Sequence, residues 1–145
     1  MPGRVCENAD MIRLSVWLVR TALLYLGAGF LIGALMLTQK GVPIDGALFR
    51  LLPLHIEVVL IGWTLQLALG IAVWILPRFG REPRYGRLSL GWLAYGLLNA
   101  GALTVGLGQW LGAPPWLVLV GRVAEALAVL SFAAHAWPRI KPLGA

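Results

Sequence analysis

Charge is scarce in this chain: Asp, Glu, Lys and Arg make up 12% of its 145 residues, against 59% hydrophobic, where a soluble domain carries about 25% charged residues. Cysteine is nearly absent. Cys6 stands alone, so no intrachain disulfide can form and a reduced thiol is the default state; lipidation of Cys6 is left open. Only two histidines occur, His55 and His135. There is no HExxH, no CxxC, no second histidine near the first and no Gly-rich phosphate loop, so the usual signatures of metal, nucleophile and nucleotide chemistry are missing. The chain also lacks a low-complexity tract, an internal repeat and a soluble domain.

Long apolar runs are what is present. A helix needs about 20 apolar residues to cross the hydrocarbon of a bilayer, and four such runs are separated by clusters of Pro, Gly and Arg. The pattern predicts an all-α, polytopic membrane protein in which residues 1–145 form a single membrane domain, with helices at about 20–37, 51–76, 88–111 and 116–137. The run Leu23–Leu37 resembles the core of a secretory signal, but no small-x-small cleavage site precedes Thr38-Gln39-Lys40, so it reads as the first helix. Short loops, the third little more than Gly112-Ala113-Pro114-Pro115, predict an antiparallel four-helix bundle. Gly29 and Gly33, and Ala102 and Gly106, have the small-xxx-small spacing of close helix contacts and read as packing positions.

The basic residues set the expected orientation. Arg4, Arg13, Arg20, Arg78, Arg81, Arg84, Arg87, Arg139 and Lys141 fall on one side, nine of the twelve; Lys40 and Arg50 fall on the other, and Arg122 lies inside a helix. The positive-inside rule puts both termini and the second loop in the cytoplasm. The expected location is thus the inner (plasma) membrane, multi-pass. Trp74, Trp92 and Trp137 then mark the inner interface, Trp110 and Trp116 the outer one. Topology accounts for the net charge of +6 without nucleic acid; membrane lipid, anionic on the basic face, is the expected surroundings.

Against this apolar background the ionisable residues stand out, because they are costly inside a membrane and mark functional sites by default. His55 and Glu57 open the second helix from the outer side. On a wheel of ~100° per residue, His55, Val59, Gly62 and Gln66 form one stripe and Glu57 points nearly opposite. Gly62 has two readings: a slot beneath the imidazole for a flat cofactor, or the close approach of another helix. Arg122 and Glu125 lie roughly 9 and 14 Å below Trp116 at ~1.5 Å per residue, at a depth similar to that of His55 and Glu57. Arg122 is expected to pair with Glu57, Glu125 or an anionic ligand group. His135 lies near the inner end of the fourth helix, separated from His55 by most of the ~30 Å hydrocarbon thickness, and reads as an interfacial histidine without a role.

The string Phe49-Arg50-Leu51-Leu52-Pro53-Leu54-His55-Ile56-Glu57-Val58-Val59-Leu60-Ile61-Gly62-Trp63, followed by Leu76-Pro77-Arg78, resembles the second helix of subunit I in the haem-copper oxidase superfamily, nearest the nitric oxide reductase branch. In that helix an outer histidine is an axial ligand of the low-spin haem b and a Gly-aromatic pair follows seven residues later; His55 and Gly62-Trp63 match. The resemblance covers about 30 residues. Subunit I has about a dozen helices and six histidine ligands, so this chain resembles only its start and is not expected to be an enzyme on its own.

Three readings follow. In the first, the chain is a membrane haem b-binding protein for electron transfer or haem handling, with His55 as axial ligand to the iron and Arg122 meeting a propionate. Because low-spin iron needs a second ligand, a homodimer packed along the His55–Gly62 face is expected. In the second, it is an accessory or assembly subunit of a respiratory oxidase or nitric oxide reductase without its own cofactor. In the third, His55, Glu57 and Glu125 form a quinol or proton site.

Overall fold

The computed structural model describes the backbone of residues 2–77 and 85–140 and the side chains from residue 9 onward within those segments. The side chains of Arg4 and Cys6, and Arg78, Arg81, Arg84 and Lys141 altogether, which entered the reading of charge and cysteine, lie outside that description. Among the described residues every regular element is helical, and four helices are long and apolar enough to cross a membrane: Ala9–Gly41, Gly46–Ile75, Leu88–Leu111 and Pro115–Arg139.

Helix α1, Pro2–Gly41, begins far before residue 20, where Arg13 and Arg20 had suggested a tail. Arginine is a good helix former, and no proline interrupts the run before Pro43. The extension also buries apolar surface: Met11, Leu14 and Leu18 pack into a cluster with Val73, Tyr85, Ala94, Phe132 and Ala136. Arg13 stays at the surface beside Asp10, at 3.8 Å. At the far end the buried Gln39 side chain accepts from the amides of Ile44 (2.7 Å) and Asp45 (2.8 Å), satisfying donors that the turn would strand.

Helix α2, Gly46–Ile75, is composite. Asp45 caps a 3-10 turn, Gly46–Leu51, by accepting from the Ala47 amide. Pro53 sits in the first turn of an α segment, Leu52–Glu57, where its missing N–H costs nothing. A π-helical segment, Val58–Leu65, follows, and Gln66–Ile75 returns to α geometry. Helix α3, Leu88–Leu111, stops at Gly112, whose φ of 71° is left-handed, a C-terminal position suited to glycine. Helix α4 starts at Pro115 and runs to Ala136, closed by a 3-10 turn, Trp137–Arg139.

The contacts establish an up-down-up-down bundle. From α1 to α2, Gly33 meets His55, Gly29 meets Val59, Tyr25 meets Gly62 and Leu18 meets Gly70, so partner numbers rise as α1 numbers fall. From α3 to α4 the crossing is tightest at two glycines: a Cβ on Gly101 would lie 2.8 Å from the Gly121 carbonyl oxygen, and one on Gly121 would lie 2.6 Å from Val105. The well-packed apolar cluster occupies the end of the bundle that carries residues 11–18 of α1, the terminal end. The opposite, loop end holds the two cavities that border His55; a further cavity, bounded by Arg87, Leu90, His135 and Pro138, lies at the terminal end.

Candidate functional site

The stripe read on α2 is real and faces α1. His55, Val59, Gly62 and Gln66 all meet that helix, Gln66 by donating from Nε2 to the Leu18 carbonyl at 3.3 Å. The π-helical turns do not break it; within them the Thr64 hydroxyl donates back to the Val59 carbonyl at 2.9 Å. Gly62, however, is no slot. A Cβ there would lie 2.5 Å from the Tyr25 ring, so the space is filled by an aromatic side chain of the same chain. The alternative reading of Gly62, close approach of a helix, is the one the structure supports. It also closes the His55–Gly62 face of α2 to a second copy, because α1 already covers it.

The open space lies one step nearer the loop end. A cavity of about 440 Å³ sits between α1 and α2, bounded by Gly29, Phe30, Gly33 and Leu37 on one side and by His55, Val59 and Trp63 on the other. The glycines that read as packing positions do pack, but within the chain: a Cβ on Gly33 would come within 3.0 Å of the imidazole Cε1, and one on Gly29 within 2.7 Å of Val59. Phe30 and Leu37 are themselves largely exposed, so the cavity opens on a flank of the bundle. Nδ1 of His55 is buried without a hydrogen-bond partner. A buried polar atom left unpaired costs about 1–3 kcal/mol.

Glu57 points the other way, as the wheel requires, and meets the guanidinium of Arg122: Nη2 to Oε2 at 2.7 Å and Nη1 to Oε1 at 3.0 Å. Nη1 also reaches Glu125 Oε2 at 2.8 Å. The expected pairing of Arg122 with these acids is therefore present, as a fork on one carboxylate with a branch to the second. Glycines on α3 make room for it. A Cβ on Gly106 would touch Glu57 at 3.5 Å, and one on Gly101 would meet Glu125 at 2.7 Å. Of the four ionisable groups read at one depth, the structure gathers Glu57, Arg122 and Glu125 between α2, α3 and α4 and leaves His55 on the opposite face of α2. Arg122 does not border the cavity beside His55.

His135, expected to be an idle interfacial residue, is buried and bonded. Its Nε2 is 3.3 Å from Arg139 Nη1 and its Nδ1 is 3.1 Å from the Arg87 carbonyl oxygen. A guanidinium can only donate, so Nε2 accepts and Nδ1 carries the hydrogen toward Arg87. Arg139 had counted only as a topology charge. It is 1% exposed, and donates to the carbonyls of Val73 (3.1 Å), Leu76 (2.8 Å) and Pro77 (3.1 Å). It thereby closes the C-terminal end of α2, where carbonyls lack helical partners and the helix dipole favours a cation. The sequence hint was Leu76-Pro77, a break that strands those carbonyls. Among the described residues no group of three His, Cys, Asp or Glu could hold a metal ion.

Comparison with protein-family models, with curated proteins and with solved structures found no match to this chain.

Proposed function

We propose that this chain is a membrane haem b-binding protein in which His55 is an axial ligand, of the kind its resemblance to the start of oxidase subunit I implies. The observation that carries the reading is the His55 imidazole on the border of an apolar cavity of about 440 Å³, within the ~300–1,000 Å³ range of small-molecule and cofactor sites. Histidine is a standard axial ligand, and an apolar flank excludes water from a macrocycle. Bound there, haem would supply one-electron chemistry.

The chain's own residues divide the work. Gly29 and Gly33 bring α1 close enough to α2 to fix the imidazole, and Leu26, Val59 and Trp63 wall the cavity. His135 is engaged by Arg139 and Arg87 at the terminal end, so the second ligand would come from another chain. A homodimer is the economical source. Since α1 covers Gly62, such a dimer would form across the open mouth of the α1/α2 cavity.

The test is an absorbance spectrum of protein purified after expression with adequate haem supply. The expected outcome is a six-coordinate b-type spectrum at one haem per two chains, lost in His55→Ala and kept in His135→Ala. Haem retained by His55→Ala would overturn the reading, and a protein that takes up no haem would favour the accessory-subunit role.

A further inference from the structure

The imidazole of His55 borders a second cavity, of about 330 Å³, which continues toward the loop end of the bundle and is bounded by Met36, Lys40, Phe49 and Leu52. The two cavities share Gly33, Leu37 and His55, so they meet at the imidazole. The lower one is apolar. The upper one ends at a cation. Lys40 follows Gly33 by seven residues, nearly two helical turns, which keeps it on the same face of α1 about 10 Å nearer the loop end at ~1.5 Å per residue. No described residue forms an ion pair with it. Asp45, the nearest acid in sequence, turns its side chain to the Ala47 amide.

Resting on the haem reading above, we infer that Lys40 is the anchor for the carboxylate edge of the bound macrocycle, in place of Arg122. The charge geometry separates the two cations. Arg122 lies across α2 from the cavity with its donors committed to Glu57 and Glu125, and freeing it would strand two buried carboxylates. Lys40 is exposed, uncommitted and on the cavity's own border. A flat apolar body beside His55 with its acidic edge toward Lys40 satisfies the cavity's polarity at both ends, since a lysine near a helix end reaches the interface while its stem covers apolar surface.

The experiment is a pair of absorbance titrations of haem-free protein in detergent, one with iron protoporphyrin IX and one with its dimethyl ester, which lacks the acidic edge. The wild type is expected to bind the free acid about tenfold tighter than the ester, the size of one charge-assisted hydrogen bond. Lys40→Met should bind both equally, at the affinity of the ester; Lys40→Arg should restore the preference, and His55→Ala should lose both ligands. A preference for the free acid that survives Lys40→Met overturns the assignment of Lys40 and leaves His55 untouched. Failure of the wild type to bind either porphyrin overturns the haem reading and Lys40 with it. Lys40 is exposed, so Lys40→Met should fold, which its thermal unfolding checks.

Discussion

At Arg122 a single side chain decides the state of two others. Glu57 and Glu125 are buried, their side chains 3% and 9% exposed, while the guanidinium that serves both is 45% exposed. Removing the cation leaves two carboxylates between apolar helices, and breaking a wholly buried pair from one side costs about 3–5 kcal/mol. The partial exposure of Arg122 softens that figure. Arg122→Leu is therefore expected to destabilise the protein by about 2–4 kcal/mol, read as a fall in thermal unfolding temperature in detergent. Arg122→Lys should recover only part of the loss, because an ammonium cannot make the fork on Glu57. An unchanged unfolding temperature in Arg122→Leu would mean that the two acids hold their positions without the cation. Depth in the sequence makes pairing with Glu57 or Glu125 one of two expectations for Arg122, since all three lie toward the same loop end; the other, an anionic group of a ligand such as a haem propionate, falls to the same guanidinium. That His55 shares their depth and not their face was legible too, from the wheel.

Among the elements, the legible and the illegible divide along physical lines. Hydropathy located α3 and α4 within a residue or two, because Pro, Gly and Arg bound them. It failed at the start of α1, where Arg13 and Arg20 looked like an end: charge limits what can sit in hydrocarbon and does not stop a helix. The π-helical turns of Val58–Leu65 had no signature that periodicity could detect, because the α1-facing stripe survives them. The occupant of the Gly62 position was equally hidden, since Tyr25 lies 37 positions away and only the pairing of α1 with α2 brings it there. Glycine spacing was informative about contact without saying which contact. Gly101 and Gly96 provide the test. A Cβ on Gly101 would lie 2.8 Å from the Gly121 carbonyl oxygen, whereas one on Gly96 meets nothing within 4 Å. Gly101→Ala is thus expected to push α3 from α4 and cost about 1–3 kcal/mol, as overpacking does. Gly96→Ala, in a helix interior with open space, should be stabilising by about 0.5–1 kcal/mol. Equal unfolding temperatures for the two variants would show that the α3/α4 crossing tolerates an added methyl group.

The two ends of the bundle differ in how they are built. The terminal end combines an apolar cluster with Arg139, which ties the last turn of α2 to α4; the loop end carries the cavities beside His55, the cation at Lys40 and the Glu57–Arg122–Glu125 cluster. Exposed Trp74 and Trp137 ring the terminal end, and Trp110 and Trp116 the loop end, as interfacial aromatics do in a bilayer. The antiparallel arrangement places Arg87 with the termini and Lys40 and Arg50 at the opposite end, so the nine-to-two division of basic residues predicts a cytoplasmic terminal end and a His55 cavity in the outer half of the bundle. Positions for a labelling test should leave the fold intact. Asp45 caps the turn before α2, and Gly112 has a left-handed φ, so Val42→Cys and Ser89→Cys, both at exposed positions, are the better probes. In a Cys6-free background, a membrane-impermeant thiol reagent added to intact cells should modify Val42→Cys and leave Ser89→Cys unmodified until the membrane is opened. The reverse pattern would invert the molecule and place Lys40 and His55 in its cytoplasmic half, because both lie at the loop end with Val42.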